Sequence, residues 1–331
     1  MSLKEIAKKL GISVTTVSRA LNGYNDVSQL TRARVEAEAH SRGYQPNALA
    51  RRLKMGKVDA VGLIFPVRPA PLKNNVFHEM VGEVSQELAR HEIDLLLIAD
   101  DELTDKCGYM RIVKSRRVDA LIVAHTLDDD PRLEQLQDCG FPFLALGRSR
   151  LLKPYAWFDF DNYAGMGRAT RHLISQGHKR IALLSENNNQ AFITQRRNGY
   201  LDSLREAALS DAWLRRVSPT RRGGYHTTLE LLCLDDPPTA IITDSNIHGD
   251  GAAMALTHQG LLTGEKRVSL VVYDGLSQDS IIETDVASVV QSTRQEVGRQ
   301  IANMVRCLIA GEELSSLQVL WQPEFIPGET A

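Results

Sequence analysis

The segment at residues 13–22 (SVTTVSRALN) carries hydrogen-bonding side chains at helical spacing. In a helix, residues three or four apart share one side. One side of this helix would be polar and hold Thr15, Ser18, Arg19 and Asn22. The other side would be apolar and hold Val17, Ala20 and Leu21. Because an arginine fork bonds O6 and N7 of guanine at the same time, the polar side is suited to the DNA major groove.

A second set of polar and aromatic side chains lies at or just after the predicted strands in the rest of the chain. Carboxylates and an arginine facing a cleft are suited to a sugar, because they hydrogen-bond adjacent hydroxyl groups, and aromatic rings can cover its apolar face. The candidate ligand contacts are Phe77, Arg148, Phe158, Arg196, Ser245, Asp274 and Gln291. Two alternatives stay open: the aromatic rings could belong to the core, and Arg148 could lie at the rim.

The polar segment is the second of two predicted helices joined by a short turn that contains Gly11. The first helix opens with a capping-box pattern, SLKE, and its apolar stripe ends at Leu10. A third helix is predicted from Ser28 onwards. This arrangement predicts a helix-turn-helix domain over residues 1–45, in which the second helix enters the major groove.

After residues 46–57, apolar strands alternate with amphipathic helices. Unbroken apolar strands such as LLLIA and ALIVA are typical of a parallel sheet covered on both faces. The pattern runs twice, so we expect residues 58–331 to form two doubly wound α/β lobes with a cleft between them. The expected first lobe spans about 58–156 plus 288–314, and the expected second lobe about 157–287 plus 315–331.

Charge is distributed unevenly along the chain. Residues 1–57 carry a net charge of +7, whereas the remainder carries −9. A basic head on an acidic body predicts that only the head meets a polyanion. No stretch approaches the roughly 20 apolar residues of a membrane span, and no signal-peptide pattern is visible, so we expect a cytoplasmic protein with no membrane partner. The four cysteines lack metal-ligand spacing and are expected to be reduced, buried thiols, with no metal or cofactor.

Three sequence words, IAKKLGISVTTVSRALNG, VSQLTRARVEAEA and GYQPNALARRL, follow one another in the first 53 residues. In these words the chain resembles the LacI family of transcriptional repressors. The resemblance implies an all-α helix-turn-helix head with a hinge helix at residues 46–57. It also implies a periplasmic-binding-protein-like core whose C-terminal tail crosses back between the lobes.

The same resemblance assigns roles within the head. It implies base readout by Val14, Thr15 and Arg19, although packing for Val14 and a phosphate contact for Arg19 are alternatives. Short polar side chains suited to DNA phosphates are Ser13, Thr16, Ser18, Asn22, Thr31 and Asn47. Leu53 matches the family's hinge leucine, which wedges into the central minor groove; packing on the body is the alternative reading.

For the core, the resemblance makes Arg196 in QRRNGY and Asp274 in VVYDG the principal effector contacts. The words HTLDDDP, WFDFDN, LLSEN and SPTRR resemble repressors of raffinose operons, which implies an α-galactoside inducer such as raffinose or melibiose. The implied protein is a homodimer that binds a pseudo-palindromic double-stranded operator and is released from it by the sugar.

Two other functions fit parts of the sequence. In a co-repressor mechanism, the small ligand would strengthen DNA binding instead of weakening it. A sugar-binding or glycoside-processing protein would share the core, since paired carboxylates are sufficient for glycoside hydrolysis. The sequence contains no Gly-rich phosphate-binding loop, no nucleophile-elbow motif and no zinc-protease motif. An enzymatic function would also leave the basic head unexplained. We therefore expect a regulator rather than an enzyme.

Overall fold

A computed structural model describes residues 3–21, 24, 26–41, 57–66, 75–100, 108–291 and 294–331 of the chain. The predicted hinge helix, apart from Lys57, lies outside these residues, as do Asn22, Asn47 and Leu53. The chain divides into two compact units, Met1–Asp59 and Ala60–Ala331, which we call the head and the core.

In its described residues, the head has three helices: α1 (Leu3–Leu10), α2 (Val14–Leu21) and α3 (Gln29–Ser41). They pack around buried apolar side chains contributed by all three helices and the turn before α3: Ile6, Ala7, Val17, Ala20, Val27, Val35 and Ala39. Val17 and Ala20 belong to the side of α2 that the sequence assigns to packing. The predicted helix-turn-helix is confirmed.

The core contains alternating strands and helices. Its strands are β1 (Ala60–Pro66), β2 (Asp94–Asp100), β3 (Ala120–Val123), β4 (Phe143–Leu146), β5 (Ala156–Phe160), β6 (Ile181–Glu186), β7 (Leu214–Val217), β8 (Ala240–Thr243), β9 (Ser269–Tyr273), β10 (Ala287–Val290), β11 (Gln318–Trp321) and β12 (Glu324–Ile326). Its helices are α4 (Asn75–Ala89), α5 (Gly108–Lys114), α6 (Pro131–Asp138), α7 (Asn162–Ser175), α8 (Ala191–Glu206), α9 (Arg221–Leu232), α10 (Asn246–His258) and α11 (Arg294–Ala310).

The strands form two six-stranded sheets, one in each lobe. The first lobe has the order β11-β5-β4-β3-β1-β2, and all its strand pairs are parallel. The second lobe has the order β12-β10-β9-β8-β6-β7, in which only the pair β10-β12 is antiparallel. The strand order reverses between β1 and β3 in the first sheet and between β6 and β8 in the second. Each sheet is therefore doubly wound, as predicted.

Helices cover both faces of the second sheet, which explains its unbroken apolar strands. Met166, Leu173 and Tyr200 of α7 and α8 pack on one face. Leu231 of α9 and Leu256 of α10 pack on the other. In the first lobe, α4 and α11 pack together on one face of the sheet.

The chain crosses between the lobes at three places. It enters the second lobe between Phe160 and Asn162, returns to the first lobe between β10 and α11, and enters the second lobe again between Trp321 and Glu324. The crossing tail implied by the family resemblance is therefore present.

The lobe boundaries differ from those expected from sequence. We expect β5 in the second lobe, but it pairs with β4, with Leu146 opposite Phe158. Likewise, β10 is expected in the first lobe but pairs with β9, and β11 is expected in the second lobe but pairs with β5. The local pattern identifies these segments as strands, but it does not contain the identity of their partners. Strand β7, with the sequence LRRV, was not predicted because its two arginines hide the apolar pattern.

The expectation of buried thiols is wrong for two cysteines. Cys139 and Cys233 are exposed and Cys307 is partly buried, and all three are free thiols, whereas Cys107 lies outside the described residues. No helix in the described part of the chain is long and apolar enough to cross a membrane.

Candidate DNA-contacting surface and effector cleft

Helix α2 begins at a side-chain cap. The Oγ of Ser13 accepts a hydrogen bond from the backbone N–H of Thr16 at 2.9 Å, which fixes the first turn of the helix. Val14, at the first helical position, is 39% exposed, and Thr15 is also exposed. An exposed valine at this position is not part of the head core, so the packing alternative for Val14 is not favoured.

Arg19 is exposed but already engaged within the head. Its guanidinium forms an ion pair with Asp26 at 2.8 Å and lies 5.4 Å from the ring centroid of Tyr24. Both side chains of the ion pair are about half exposed, so the pair is screened by water and easily exchanged for another partner. The structure therefore shows a positioned arginine on the polar side of α2.

The predicted phosphate contacts in the described residues have local roles as well. Ser13 and Thr16 share a hydrogen bond of 2.8 Å between their hydroxyl groups. The Thr31 hydroxyl is bonded in the same way to Ser28, the cap of α3, at 2.9 Å. Ser18 is partly buried in α2. In a helix cap, the side-chain oxygen accepts a hydrogen bond. A hydroxyl or backbone donor nearby can still donate to a DNA phosphate.

A cavity of about 550 Å³ lies between the two lobes of the core. It is formed at the carboxyl ends of the strands, where ligands bind in doubly wound sheets. Six of the seven residues predicted as effector contacts line it: Phe77, Phe158, Arg196, Ser245, Asp274 and Gln291.

Arg196 is held rigidly in the wall of this cavity. Its Nε donates to Oδ1 of Asn162 at 2.9 Å, and Nη1 donates to the backbone oxygen of Asp244. Its guanidinium also stacks 3.5 Å from the ring centroid of Tyr273. These contacts fix the guanidinium before any ligand arrives, which reduces the entropy lost on binding.

Close packing of two helices brings Arg196 to this position. Gly199 lies one turn along α8, where a Cβ would stand 2.2 Å from the backbone oxygen of Tyr163 in α7. Only a glycine permits this approach. It places Asn162, the first residue of α7, within hydrogen-bonding distance of the arginine.

Asp274 follows β9 with a left-handed backbone, φ +68°. Its carboxylate lies 3.6 Å from Nη2 of Arg196. Non-glycine residues in this conformation are strained and are often found at functional sites. Ser245 follows β8 and accepts a long, 3.5 Å hydrogen bond from the N–H of His248 at the start of α10. An arginine, a carboxylate and a hydroxyl thus meet in one wall.

Most of the rings that face the cavity come from the first lobe, and Phe192 of α8 adds one from the second lobe. The ring of His125 lies 4.9 Å from the ring of Phe77 and 6.0 Å from that of Phe192. Burial lowers the pKa of His125 to about 4, against the hydrogen bond to Gln190, so the imidazole is neutral at pH 7. The Nδ1 atom donates to Oε1 of Gln190 at 3.1 Å, and the buried Nε2 has no hydrogen-bond partner among the described residues.

Phe158 has both of the roles considered from sequence. It lines the cavity, yet it is almost fully buried and makes edge contacts with Phe160 and Trp321 in the core of the first lobe. Only part of its ring is therefore available to a ligand.

The prediction that Arg148 contacts the effector is not supported, because Arg148 does not line the cavity. Its Nε donates to Asp159 at 2.9 Å and its Nη2 donates to Gln195 at 3.1 Å. Asp159 does line the cavity, and burial raises its pKa despite the arginine. Arg148 therefore positions a carboxylate that the sequence analysis missed.

Glu186 and Asn162 also line the cavity and were not predicted. Both adjoin a strand end, which is the signal that could have found them. Behind this wall, Nδ1 of His248 lies 3.1 Å from Oδ1 of Asp244, and both side chains are inaccessible to solvent. Burial alone would lower the pKa of His248, but its contacts with Asp244 and with the backbone oxygen of Ser218 raise it. Across the described ranges, no cluster of three or more histidine, cysteine or acidic side chains could hold a metal ion.

Comparison with known families agrees with both units. Residues 2–47 match the family described as bacterial regulatory proteins, lacI family. Residues 58–326 match the family described as periplasmic binding proteins and sugar binding domain of LacI family. The chain belongs to the LacI family.

Individual relatives match most or all of this LacI-family chain. The transcriptional regulator RafR of Escherichia coli is 61% identical over 330 residues, covering 100% of this chain and 98% of RafR. The structure of a transcriptional regulator from Yersinia pestis biovar Microtus is 49% identical with a TM-score of 0.79, and the match covers 83% of this chain and 98% of that one. The lac repressor dimer, bound to operator and the anti-inducer ONPF, has the same fold: TM-score 0.83 at 22% identity, covering 100% of this chain and 98% of that one.

These findings establish the class of protein. The chain is a DNA-binding transcriptional regulator with a helix-turn-helix head and a sugar-binding core. Its relatives are regulators rather than enzymes. The comparisons therefore favour a regulator over a glycoside-processing protein, and the cavity between the lobes is the candidate effector site.

Proposed function

We propose that this LacI-family regulator is a homodimeric repressor of a carbohydrate-utilisation operon, and that an α-galactoside bound between the lobes releases it from its operator. Two heads would bind the half-sites of a pseudo-palindromic operator, since a two-fold protein matches a two-fold site. A protein with this role acts where bacterial DNA is, in the cytoplasm.

The observation that carries the sugar proposal is the pairing of Arg196 with Asp274 in a cavity faced by aromatic rings. A fixed guanidinium and a carboxylate can hydrogen-bond adjacent hydroxyl groups, while Phe77 offers an apolar surface to the ring carbons. The preference for an α-galactoside rests on the resemblance to raffinose-operon repressors and on the 61% identity with RafR.

Calorimetry with raffinose, melibiose, cellobiose and hypoxanthine tests the effector class. We expect binding of raffinose or melibiose and none of hypoxanthine. Operator affinity measured with and without the bound sugar then gives the sign of the coupling. A fall of about 5- to 150-fold supports an inducer, whereas a rise supports the co-repressor alternative. Failure of both α-galactosides to bind contradicts the effector proposal.

For operator recognition, we propose base readout by Val14, Thr15 and Arg19. Arg19 would exchange its ion pair with Asp26 for a guanine, which costs little because the pair is exposed. Ser13, Thr16, Ser18 and Thr31 would contribute phosphate contacts, together with Asn22 and Asn47 outside the described residues. Selection of operators by a variant with both Val14 and Thr15 replaced should yield a different base preference; an unchanged preference contradicts the proposal.

Leu53 is proposed to wedge into the central minor groove. A Leu53→Ala variant should bend its operator less, because inserting a side chain between base pairs unstacks and kinks the duplex. Gel mobility of circularly permuted operator fragments measures the bend. Full bending by the variant would contradict this role.

A further inference from the structure

Glu186 stands at the point where the strand order of the second sheet reverses. It is the last residue of β6, and Asp244 directly follows the neighbouring strand β8. In doubly wound sheets, ligands bind outside the carboxyl ends of the strands at this reversal. Glu186 therefore occupies the place in the second lobe where the fold itself favours a ligand.

The Glu186 side chain is buried yet faces the cavity. It is 8% exposed and belongs to the cavity wall. Among the described residues, its carboxylate has one hydrogen bond, from Nδ2 of Asn188 to Oε2 at 2.6 Å. A carboxylate has about four acceptor positions, so most of its capacity remains for groups inside the cavity.

A carboxylate buried beside another carboxylate is costly unless positive groups are close. The backbone N–H of Glu186 donates to Oδ2 of Asp244 at 2.7 Å, which ties the two acids together. The compensating groups are Arg196, bound to the backbone oxygen of Asp244, and His248, whose two ring nitrogens contact Asp244 and Ser218.

His248 also fixes the neighbouring wall. Its Nε2 donates to the backbone oxygen of Ser218 at 2.9 Å, and the next two residues, Pro219 and Thr220, line the cavity. One buried imidazole thus connects the strand end that bears Asp244 to the loop that closes this side of the cleft. Such supporting contacts keep a binding group within a narrow range of positions.

We propose that Glu186 is a specificity-determining contact that accepts hydrogen bonds from hydroxyl groups of the effector, and that the buried Asp244–His248 pair is the positioning element behind it. This inference rests on the proposed function, because it needs a hydroxyl-bearing effector in the cleft. Glu186 would be a second anchor for the sugar, separate from the Arg196–Asp274 pair.

Protonation of Glu186 would weaken the proposed contact. Burial, together with the negative charge of Asp244, raises the pKa of Glu186. Hydroxyl donors favour the ionised carboxylate, so effector affinity falls as pH is lowered through this raised pKa. The other charged or titratable groups around the cavity are Asp244, His248, Arg196 and Asp274 in the second lobe and Asp159 and His125 in the first lobe.

Calorimetry on full-length Glu186→Gln, with raffinose and melibiose as probes, tests the inference. Glutamine keeps the size of the side chain but not its charge. We expect affinity to fall about tenfold, as for loss of a charge-assisted hydrogen bond. The control Glu206→Gln removes an equal charge at an exposed position of the same lobe and should bind as the wild type does. Far-UV circular dichroism confirms that each variant is folded.

The pH profile separates a direct contact from a structural role. Between about pH 8 and about pH 5, wild-type affinity should fall more steeply than that of Glu186→Gln, whereas Glu206→Gln should follow the wild type. Equal affinity and equal pH slopes for wild type and Glu186→Gln would overturn the inference and leave the proposed function intact. A wild type that binds neither sugar would overturn the α-galactoside proposal and this inference together.

Discussion

The two lobes present different chemistry to the same cavity. The first lobe offers mainly rings, with Phe77 and the edge of Phe158 beside a neutral His125, and it adds one carboxylate, Asp159, whose pKa is raised by burial. The second lobe offers mainly buried charge, with Glu186 and Arg196 fixed by hydrogen bonds before a ligand enters, and it adds the ring of Phe192. Both walls are built at strand ends of similar doubly wound sheets. The difference therefore comes from side chains and not from architecture.

The two lobes would therefore contribute differently to sugar binding. Rings contribute apolar contact and tolerate small shifts of a sugar, whereas fixed charges demand hydroxyl groups at defined positions. The second lobe would then determine which sugar binds, and the first lobe would determine how tightly its apolar face is covered. The two lobes should consequently respond differently to mutation and to pH.

The largest expected effect is on stability, from His248→Met in the second lobe. Removing one member of a buried pair leaves the Asp244 carboxylate without its ion-pair partner and should lower the free energy of unfolding by about 3–5 kcal/mol. Urea unfolding followed by tryptophan fluorescence measures it, because all three tryptophans, at positions 157, 213 and 321, lie in the core. Adding Asp244→Ala should restore part of the loss; a single variant as stable as wild type would contradict the pairing.

The pH dependence of stability should distinguish the lobes. The folded-state pKa of His125 is lowered to about 4. As pH falls from about 6.5 to about 4, the unfolded chain therefore binds a proton that the folded chain does not. The free energy of unfolding should fall by roughly 3 kcal/mol at most over this range. His125→Phe should flatten this acid limb. His248 has the opposite sign: its raised pKa contributes stability below about pH 6.5 that is lost as pH rises through the folded pKa. An acid limb unchanged by His125→Phe would refute the neutral imidazole.

Arg196→Met tests the charged wall directly. We expect sugar affinity to fall about hundredfold, because the hydroxyl contacts proposed for the guanidinium and an ion-pair partner of Asp274 are lost. Arg205→Met, at an exposed position of the same helix, is the matched control. Calorimetry on both variants decides; equal losses would indicate a general effect of charge instead of a contact.

Phe77→Ala should have the smallest effect of the four. Loss of one partly buried ring from the first lobe should weaken sugar binding about fivefold, with little change in the preference among sugars. The ratio of melibiose to raffinose affinity is the informative measurement. A changed ratio would show that the rings of the first lobe also determine specificity. It would contradict the proposal that the second lobe determines which sugar binds.

In the head, much could be predicted because the determinants are local. The cap at Ser13 and the buried Val17 and Ala20 follow from spacing along one short segment. The ion pair between Arg19 and Asp26 did not follow, because it joins α2 to the turn before α3.

In the core, spacing identified most of the strands, though not β7, and six residues of the cavity wall, since polar residues at the carboxyl ends of parallel strands converge. Spacing failed for Arg148, whose guanidinium bonds Asp159 instead of lining the cavity. It also failed for Glu186, whose proposed role depends on the reversal of strand order beside β8.

By itself, the sequence determined the helix-turn-helix, the doubly wound character of the lobes and the family, because periodicity, capping and ordered motifs are properties of short stretches of chain. Tertiary structure alone decided which lobe each crossing strand joins and which charges are buried together. The cluster of Glu186, Asp244 and His248 spans 62 positions, and Trp157 and Gln318, which pair across β5 and β11, are 161 positions apart. Only folding brings these residues together. Their pairing is therefore a property of the packed molecule.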